Sequence, residues 1–266
     1  MPSTFFGWVG FLLKQYGGLF LSGTGMTLLI ALSGTLFGFI IGLLVAIVRT
    51  IEIPRGMSPV KKALRKLAHM LIAVYIQVFR GTPMIVQAMV IYYGSMQYLG
   101  IDMERTAAAI LIISINTGAY MAEIIRGGII SVDKGQFEAA HAIGMTHWQT
   151  MTTVVLPQAI RNILPSVGNE LIVNIKDSSV LNVISVSELF FQAKSAAGTY
   201  YKYFEVFFII AVIYLVLTVS RILRFVEKKM DGPDNYVICG SQSDSRSEIV
   251  VSKEQEEEVD RQWQSK

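Results

Sequence analysis

Six polar or ionisable residues crowd a stretch that otherwise has the composition of a lipid-crossing segment: Glu170, Asn174, Lys176, Asp177, Ser178 and Ser179. Glu170, Asn174 and Asp177 are four and three residues apart, a spacing that stacks side chains on one helical face. A charge at bilayer depth is costly unless it is paired or hydrated, so this stripe implies a polar cavity or a buried partner. Arg80, in an Arg-Gly-Thr-Pro run inside another apolar stretch, supplies a group of opposite sign. Two readings fit. In one, the carboxylates receive an ammonium or cationic side chain of a solute, while Arg80 takes a carboxylate through its bidentate donors. In the other, Arg80 or Lys176 neutralises Glu170 or Asp177, and the charges only hold helices together. Thr82, Gln87 and Asn116, with Asn174 and Ser178, complete the candidate substrate-binding set.

No pattern for covalent chemistry accompanies them. There is no G-x-x-x-x-G-K-[ST] loop, so nucleotide binding by that route is not expected, and no cofactor is expected in the chain. His141 and His147 are six apart, a poor spacing for one helix face, and His69 is remote, so no metal site is expected. No Ser-His-Asp set is indicated by spacing, and such sets are in any case spatial. The single Cys239 excludes an intrachain disulfide framework. A net charge of +3 is too small to point to nucleic acid.

Apolar residues make up 52% of the 266, and the mean hydropathy is +0.48, which together indicate a membrane protein. No cleavable signal peptide is expected, because no basic region precedes an apolar core. Residues 1–18 carry Phe5, Phe6, Trp8, Phe11 and Tyr16, and read as a segment lying in the membrane interface. Gln15 to Val48 contains no charge, which is ample for a first span (19–48). Its Gly34, Gly38 and Gly42, at four-residue spacing, permit close helix approach. A basic connector from Arg49 to Lys66, with Arg55, Lys61, Lys62 and Arg65 against a lone Glu52, faces the cytoplasm by the positive-inside rule.

The second span (67–99) is interrupted at Arg80–Pro83, which lipid tolerates only where backbone faces protein or water. A third span (104–126) ends at Glu123 and Arg126, three apart and able to pair. The fourth (163–184) follows the loop described next, Gln192–Tyr203 reads as an exposed connector, and the fifth (204–226) ends among Arg221, Arg224, Lys228 and Lys229. The fold expected is all-α, an integral membrane protein of five transmembrane helices. Its N-terminus lies outside and its C-terminus in the cytoplasm. Residues 231–266 form a polar tail expected to be disordered.

The loop at 133–157 is too polar for lipid, yet uncharged from His141 to Ile160. Asp133–Gln136 reads as a turn, then a short helix, a bend at Gly144, and a second amphipathic piece before Pro157 and Pro165 restart the chain. Its Glu138, Ala139, Ala140, Gly144, Val154, Leu156 and Pro157 fall on an E-A-A, three residues, G, nine residues, apolar-x-L-P frame, with Val154 where Ile is more usual. Around it stand Val78–Pro83 (VFRGTP), Gly118–Ile129 (GAYMAEIIRGGI), Gly135–Ala140 (GQFEAA) and Ile175–Leu181 (IKDSSVL). On these motifs, over roughly residues 20–226, the chain resembles the permease subunits of ABC importers of the polar amino-acid branch.

The resemblance implies a type I importer permease in a bacterial inner membrane. It implies two cytoplasmic ATPases that bind ATP and Mg, a second permease subunit (identical or related), an extracellular or periplasmic substrate-binding protein, and a substrate held mid-membrane near Arg80, Glu170 and Asp177. It also implies that Glu138–Gly144 form a coupling helix seated on the ATPase, with Leu156 and Pro157 closing the motif. An ion-coupled secondary amino-acid transporter is the rival class, but five spans without an inverted repeat fit it poorly. A membrane-embedded enzyme or assembly factor is a second rival, and the residues offer it no convergent reactive set beyond the stripe at Glu170–Asp177.

Overall fold

The computed structural model describes residues 2–50 and 58–219, and all regular structure among them is helical. Part of the basic connector (Glu52, Arg55), the cations after the last span (Arg221 to Lys229), the end of that span, Cys239 and the polar tail lie outside the described residues.

Helix α1 runs unbroken over Phe5–Thr50, so the expected division at residue 18 falls inside one helix. At about 1.5 Å per residue it is roughly 69 Å long, more than twice a hydrocarbon core of about 30 Å. Its first turns are aromatic because they pack on other helices: Trp8 and Phe11 meet Tyr200, and Phe5 meets Phe204 and Phe208. The glycines further along admit α4 (Arg105–Ile130). A Cβ on Gly34 would lie 2.3 Å from Ile113, one on Gly38 2.7 Å from Thr117, and one on Gly42 2.4 Å from Met121. Both rows advance by four in the same chain direction, so α1 and α4 run parallel with interlocked i±4 ridges.

Helix α2 (Pro59–Gly81) and helix α3 (Met84–Leu99) differ in direction by 115°, so the expected second span is a sharp turn rather than one interrupted rod. Pro83 has no amide hydrogen, and Thr82 is extended, which ends α2. After α4, Asp133 accepts from the Gly135 amide and starts α5 (Lys134–Ala142), so the expected short helix begins already within the residues read as a turn. The one-turn helix α6 (His147–Gln149) opens with a capping box between Thr146 and Gln149, and a π-helical turn (Thr150–Val155) leads into α7 (Leu156–Asp177). Hydroxyls of Thr150 and Thr152 donate back to the carbonyls of Thr146 and Trp148, a competition that weakens and bends a regular helix. Pro157 sits in the first turn of α7 and Pro165 inside it, so Pro165 does not restart the chain.

From Asp177 the chain tightens into a 3-10 segment (Ser178–Ile184), then forms α8 (Leu189–Tyr200) and α9 (Tyr203–Val219). The expected exposed connector at Gln192–Tyr203 is therefore corrected. Leu189, Ala193, Ala196 and Ala197 recur at helical spacing and are fully buried against α1 and α9. Small side chains let α8 lie close, as Gly23 shows from the other side, where a Cβ would be 2.9 Å from the Leu189 backbone. Among the described residues, two helices, Phe5–Arg49 and Arg105–Ile130, are each long and apolar enough to cross a bilayer, and the α2–α3 pair passes that test together.

Gly42→Val forces a β-branched side chain into Met121 and the Ala122 backbone and should cost roughly 1–3 kcal/mol by overpacking. Gly25, with open space at its Cβ, should accept Ala with no loss. Thermal melting of the detergent-purified variants checks this; equal melting temperatures would contradict the glycine contact.

Candidate substrate pathway and coupling loop

The polar set divides into residues consumed by structure and residues left over. Where α2 breaks, the freed carbonyls need donors, because lipid offers none. Gln87 Nε2 donates to Phe79 O (2.9 Å), Thr82 O (2.8 Å) and Thr82 Oγ1 (2.9 Å). Thr82 Oγ1 donates to Val78 O at 2.8 Å. Asn116 Nδ2 on α4 donates to Gln87 Oε1 at 2.9 Å and reaches Phe79 O at 3.3 Å. Thr82, Gln87 and Asn116 thus form one network that secures the turn.

Asn174 is a second pin. Its Nδ2 donates to Thr35 Oγ1 on α1 (2.8 Å), and its Oδ1 accepts from Thr117 Oγ1 on α4 (3.1 Å). It is 2% exposed and joins three helices. Ser178 is fully buried, donates to Ile175 O at 2.9 Å, and lies beside Tyr214 of α9. These two are also committed within the fold.

Arg80, Glu170 and Asp177 remain. Glu170 is 4% exposed, yet it has no hydrogen bond or ion pair among the described residues. It lies within electrostatic reach of Arg80 and Asp177. The Arg80 guanidinium stacks over the Tyr120 ring at 5.4 Å, and Tyr120 in turn feels Glu170 and Asp177. Charges of both signs are therefore gathered around one aromatic face without being tied to each other. Such an arrangement can bind a zwitterion at both ends.

Tyr120 was absent from the sequence-derived set, although it stands within the GAYMAE run. Glu188 was missed as well. It is fully buried, and its oxygens accept from the Phe190 (2.8 Å) and Phe191 (2.7 Å) amides and from the Tyr214 hydroxyl (3.2 Å). A carboxylate just ahead of an apolar run is a legible helix-start signal. Its role here is to cap α8.

Glu123 pairs as expected with Arg126, through Nε (2.9 Å) and Nη2 (2.8 Å), and also with Arg49 of α1. A separate groove of about 350 Å³ is lined by Lys176, Ser179, Phe190, Phe207, Ile210, Ala211 and Tyr214, and by none of Arg80, Tyr120, Glu170 and Asp177.

In the loop, Glu138 and Ala139 are exposed while Ala140 is buried, so α5 shows its acid outward and anchors through alanine. Gly144 has φ +83°, a left-handed conformation open to glycine at little cost, with nothing within 4 Å of its Cβ position. Leu156 and Pro157 are exposed at the start of α7. Ile143 and Trp148 are 79% and 75% exposed, an unusual state for large apolar residues outside lipid.

Residues 60–232 match the family model described as binding-protein-dependent transport system inner membrane component. The glutamine transport system permease protein GlnP of Escherichia coli (strain K12) is 38% identical over 215 residues, covering 80% of this chain and 93% of that protein. The arginine transport system permease protein ArtQ of Bacillus subtilis (strain 168) is 41% identical over 162 residues, 60% of this chain and 74% of that one. Among solved structures, an amino acid ABC transporter crystallised with histidines is similar at a TM-score of 0.74 and 39% identity, covering 86% of this chain and 100% of that chain.

Asn174→Leu removes both interhelical hydrogen bonds and leaves the Thr117 hydroxyl without its acceptor, a loss of about 1–3 kcal/mol. Glu170→Gln removes a buried charge that has no fixed partner and should leave stability unchanged or higher. Denaturation of the two variants in detergent distinguishes them; a destabilised Glu170→Gln would show that the carboxylate is a structural ion pair.

Proposed function

We infer the function from one premise: the chain belongs to the family of binding-protein-dependent transport system inner membrane components. It is a multi-pass membrane permease subunit of an ABC importer for amino acids, not an ion-coupled carrier, and ATP hydrolysis falls to a separate ATPase subunit. Beyond that, we propose that the transported molecule is a polar amino acid held between Arg80 and the carboxylates of Glu170 and Asp177. The observation that supports this is the buried, unpaired Glu170 beside an Arg80 stacked on Tyr120. The α-carboxylate goes to Arg80 and the α-ammonium to Glu170 or Asp177, with Tyr120 flanking the cation. Thr82, Gln87, Asn116, Asn174 and Ser178 hold the walls in place.

The working assembly on this reading contains two permease subunits, a cytoplasmic ATPase dimer carrying ATP and Mg, and an extracellular or periplasmic binding protein that delivers substrate. The N-terminus is outside, and the loop at 133–157 faces the cytoplasm. Glu138 to Gly144 seat on the ATPase, with Leu156 and Pro157 at the pivot where the loop enters α7. Nucleotide-driven closure of the ATPases moves the loop, and α4 and α7, which flank it, move with it.

In proteoliposomes containing the full importer, Arg80→Gln and Glu170→Gln should each reduce ATP-driven amino-acid uptake at least tenfold while leaving assembly with the ATPase intact. Unchanged uptake kinetics in both would sink the site.

Gly144→Asp places a side chain at positive φ, strained by roughly 1–2 kcal/mol, and adds charge on the docking face. The variant should insert and co-purify with its partner permease, yet lose coupling of ATP hydrolysis to uptake. Normal coupled uptake would count against the loop assignment.

A further inference from the structure

One face of α7 carries polar side chains that nothing in the chain satisfies. Ser166, Asn169, Val173 and Lys176 follow one another at intervals of three or four residues, the spacing of a single helical stripe, and Asp177 extends it. None of the five is buried: Lys176 is exposed and the others are half-buried. Among the described residues the side chains of Ser166 and Asn169 make no hydrogen bond, and Lys176 and Asp177 make no ion pair. Lys176 and Asp177 cannot satisfy each other, because adjacent residues on a helix do not face one another.

The charged end of the stripe lies at bilayer depth. Asn174 is level with Thr117, its hydrogen-bond partner, and Thr117 stands six residues, roughly 9 Å, from Glu123 in the ion cluster that ends α1 and α4. Lys176 is roughly 3 Å further on. From the opposite side, the groove beside Lys176 reaches Tyr214, eleven residues or roughly 16 Å into α9 from Tyr203. In a hydrocarbon core about 30 Å thick, Lys176 is near the middle, too deep to snorkel to either surface. Lipid does not satisfy such a face, since acyl chains offer neither donors nor acceptors. A headgroup phosphate on Lys176 would lie deeper than Phe190 and Phe207 of the same groove, with its acyl chains turned back toward the near surface. A protein surface of matching chemistry does satisfy it.

We propose that this stripe is the contact between two copies of the chain, with Lys176 of each paired to the partner subunit's Asp177. Two copies inserted with the same topology are related by a two-fold axis along the membrane normal, so each side chain meets a neighbour at its own depth. Glu170 is roughly 9 Å along the helix from Lys176, whereas Asp177 is level with it and lacks a counter-ion in its own chain. The stripe therefore complements itself, with two reciprocal ion pairs at one level. Ser166 and Asn169 hydrogen-bond across the same contact, and small polar side chains let helices approach closely in lipid. The assignment rests on the reading that the importer holds two permease subunits, and it leaves the substrate ammonium to Glu170.

The test uses the full importer in native membranes, with Val173→Cys in a Cys239→Ser background. A short bifunctional maleimide should join two permeases through Val173→Cys and should not do so through Val90→Cys, on the exposed face of α3. Dimer recovery after detergent extraction is the second readout. Lys176→Asp and Asp177→Lys should each lower it about tenfold by setting like charges together, and the double variant should restore it. A double variant no better than the singles overturns the pairing. The interface is overturned by equal cross-linking at Val90→Cys. It is equally overturned if a membrane-impermeant maleimide modifies Val173→Cys without cross-linking, as a water-filled path would allow. One permease per assembly sinks the two-subunit reading and the proposal together; two permeases without the cross-link sink the interface alone.

Discussion

The rest of the structure depends on the close contact of α1 and α4. Between helices in lipid the hydrophobic effect gives little, because acyl chains are as apolar as leucine, so association rests on backbone proximity and interhelical hydrogen bonds. Gly34, Gly38 and Gly42 supply the proximity by receiving Ile113, Thr117 and Met121. At the end of this contact Arg49 meets Glu123, which also holds Arg126, so register is set by shape along the helices and by charge at their ends. Helix α7 joins the same body. Ile163 fills the space at Gly128, and Asn174 bridges Thr35 and Thr117. Glu170 and Asp177 are therefore carried on a rigid three-helix unit, which is how two carboxylates can be held at depth without a bonded counter-ion.

The α2–α3 turn is built differently. Its order comes from a small polar network through Thr82, Gln87 and Asn116 that replaces hydrogen bonds lost when the helix breaks. Arg80 sits on this element and meets α4 through the face of Tyr120, a contact without a fixed donor–acceptor pair. Charge of one sign thus belongs to the rigid unit and charge of the other to the turn.

Residue type and spacing made much of this legible. The four-residue glycine period, the disruption at Arg80–Pro83 and the Glu123–Arg126 pair all read correctly, because each is a local pattern with a single physical cause. What failed was non-local. Thr82, Gln87, Asn116 and Asn174 group with the binding residues because a polar side chain in a membrane segment looks the same whether it meets a solute or another helix. Only the positions of Thr35, Thr117 and the Phe79 carbonyl separate the cases. The helix at Leu189–Tyr200 was mistaken for a connector because its buried stripe is mostly alanine, which carries a weak hydrophobic signal. Pro165 misled by its breaker reputation, although a helix held by neighbours tolerates one lost bond.

The distribution of contacts bears on how the proposed importer would work. Helix α5 hangs between the end of α4 and the start of α7, and those ends are themselves tied, with Asn162 donating to Ser131 at 2.9 Å and Gly128 against Ile163. A pull on the loop therefore acts on α4, α7 and the glycine-packed α1 together. It acts less directly on α2, where Ile76 alone is fully buried and the Tyr75 hydroxyl donates to Ile115 O of α4. On the proposed reading, motion of the rigid unit changes the separation of Arg80 from Glu170 and Asp177. A zwitterion bridging them is then bound in one state and released in another. Had Arg80 and Glu170 been joined by a direct salt bridge, each transition would have to break it, so leaving them unbonded is what allows the substrate itself to close the gap.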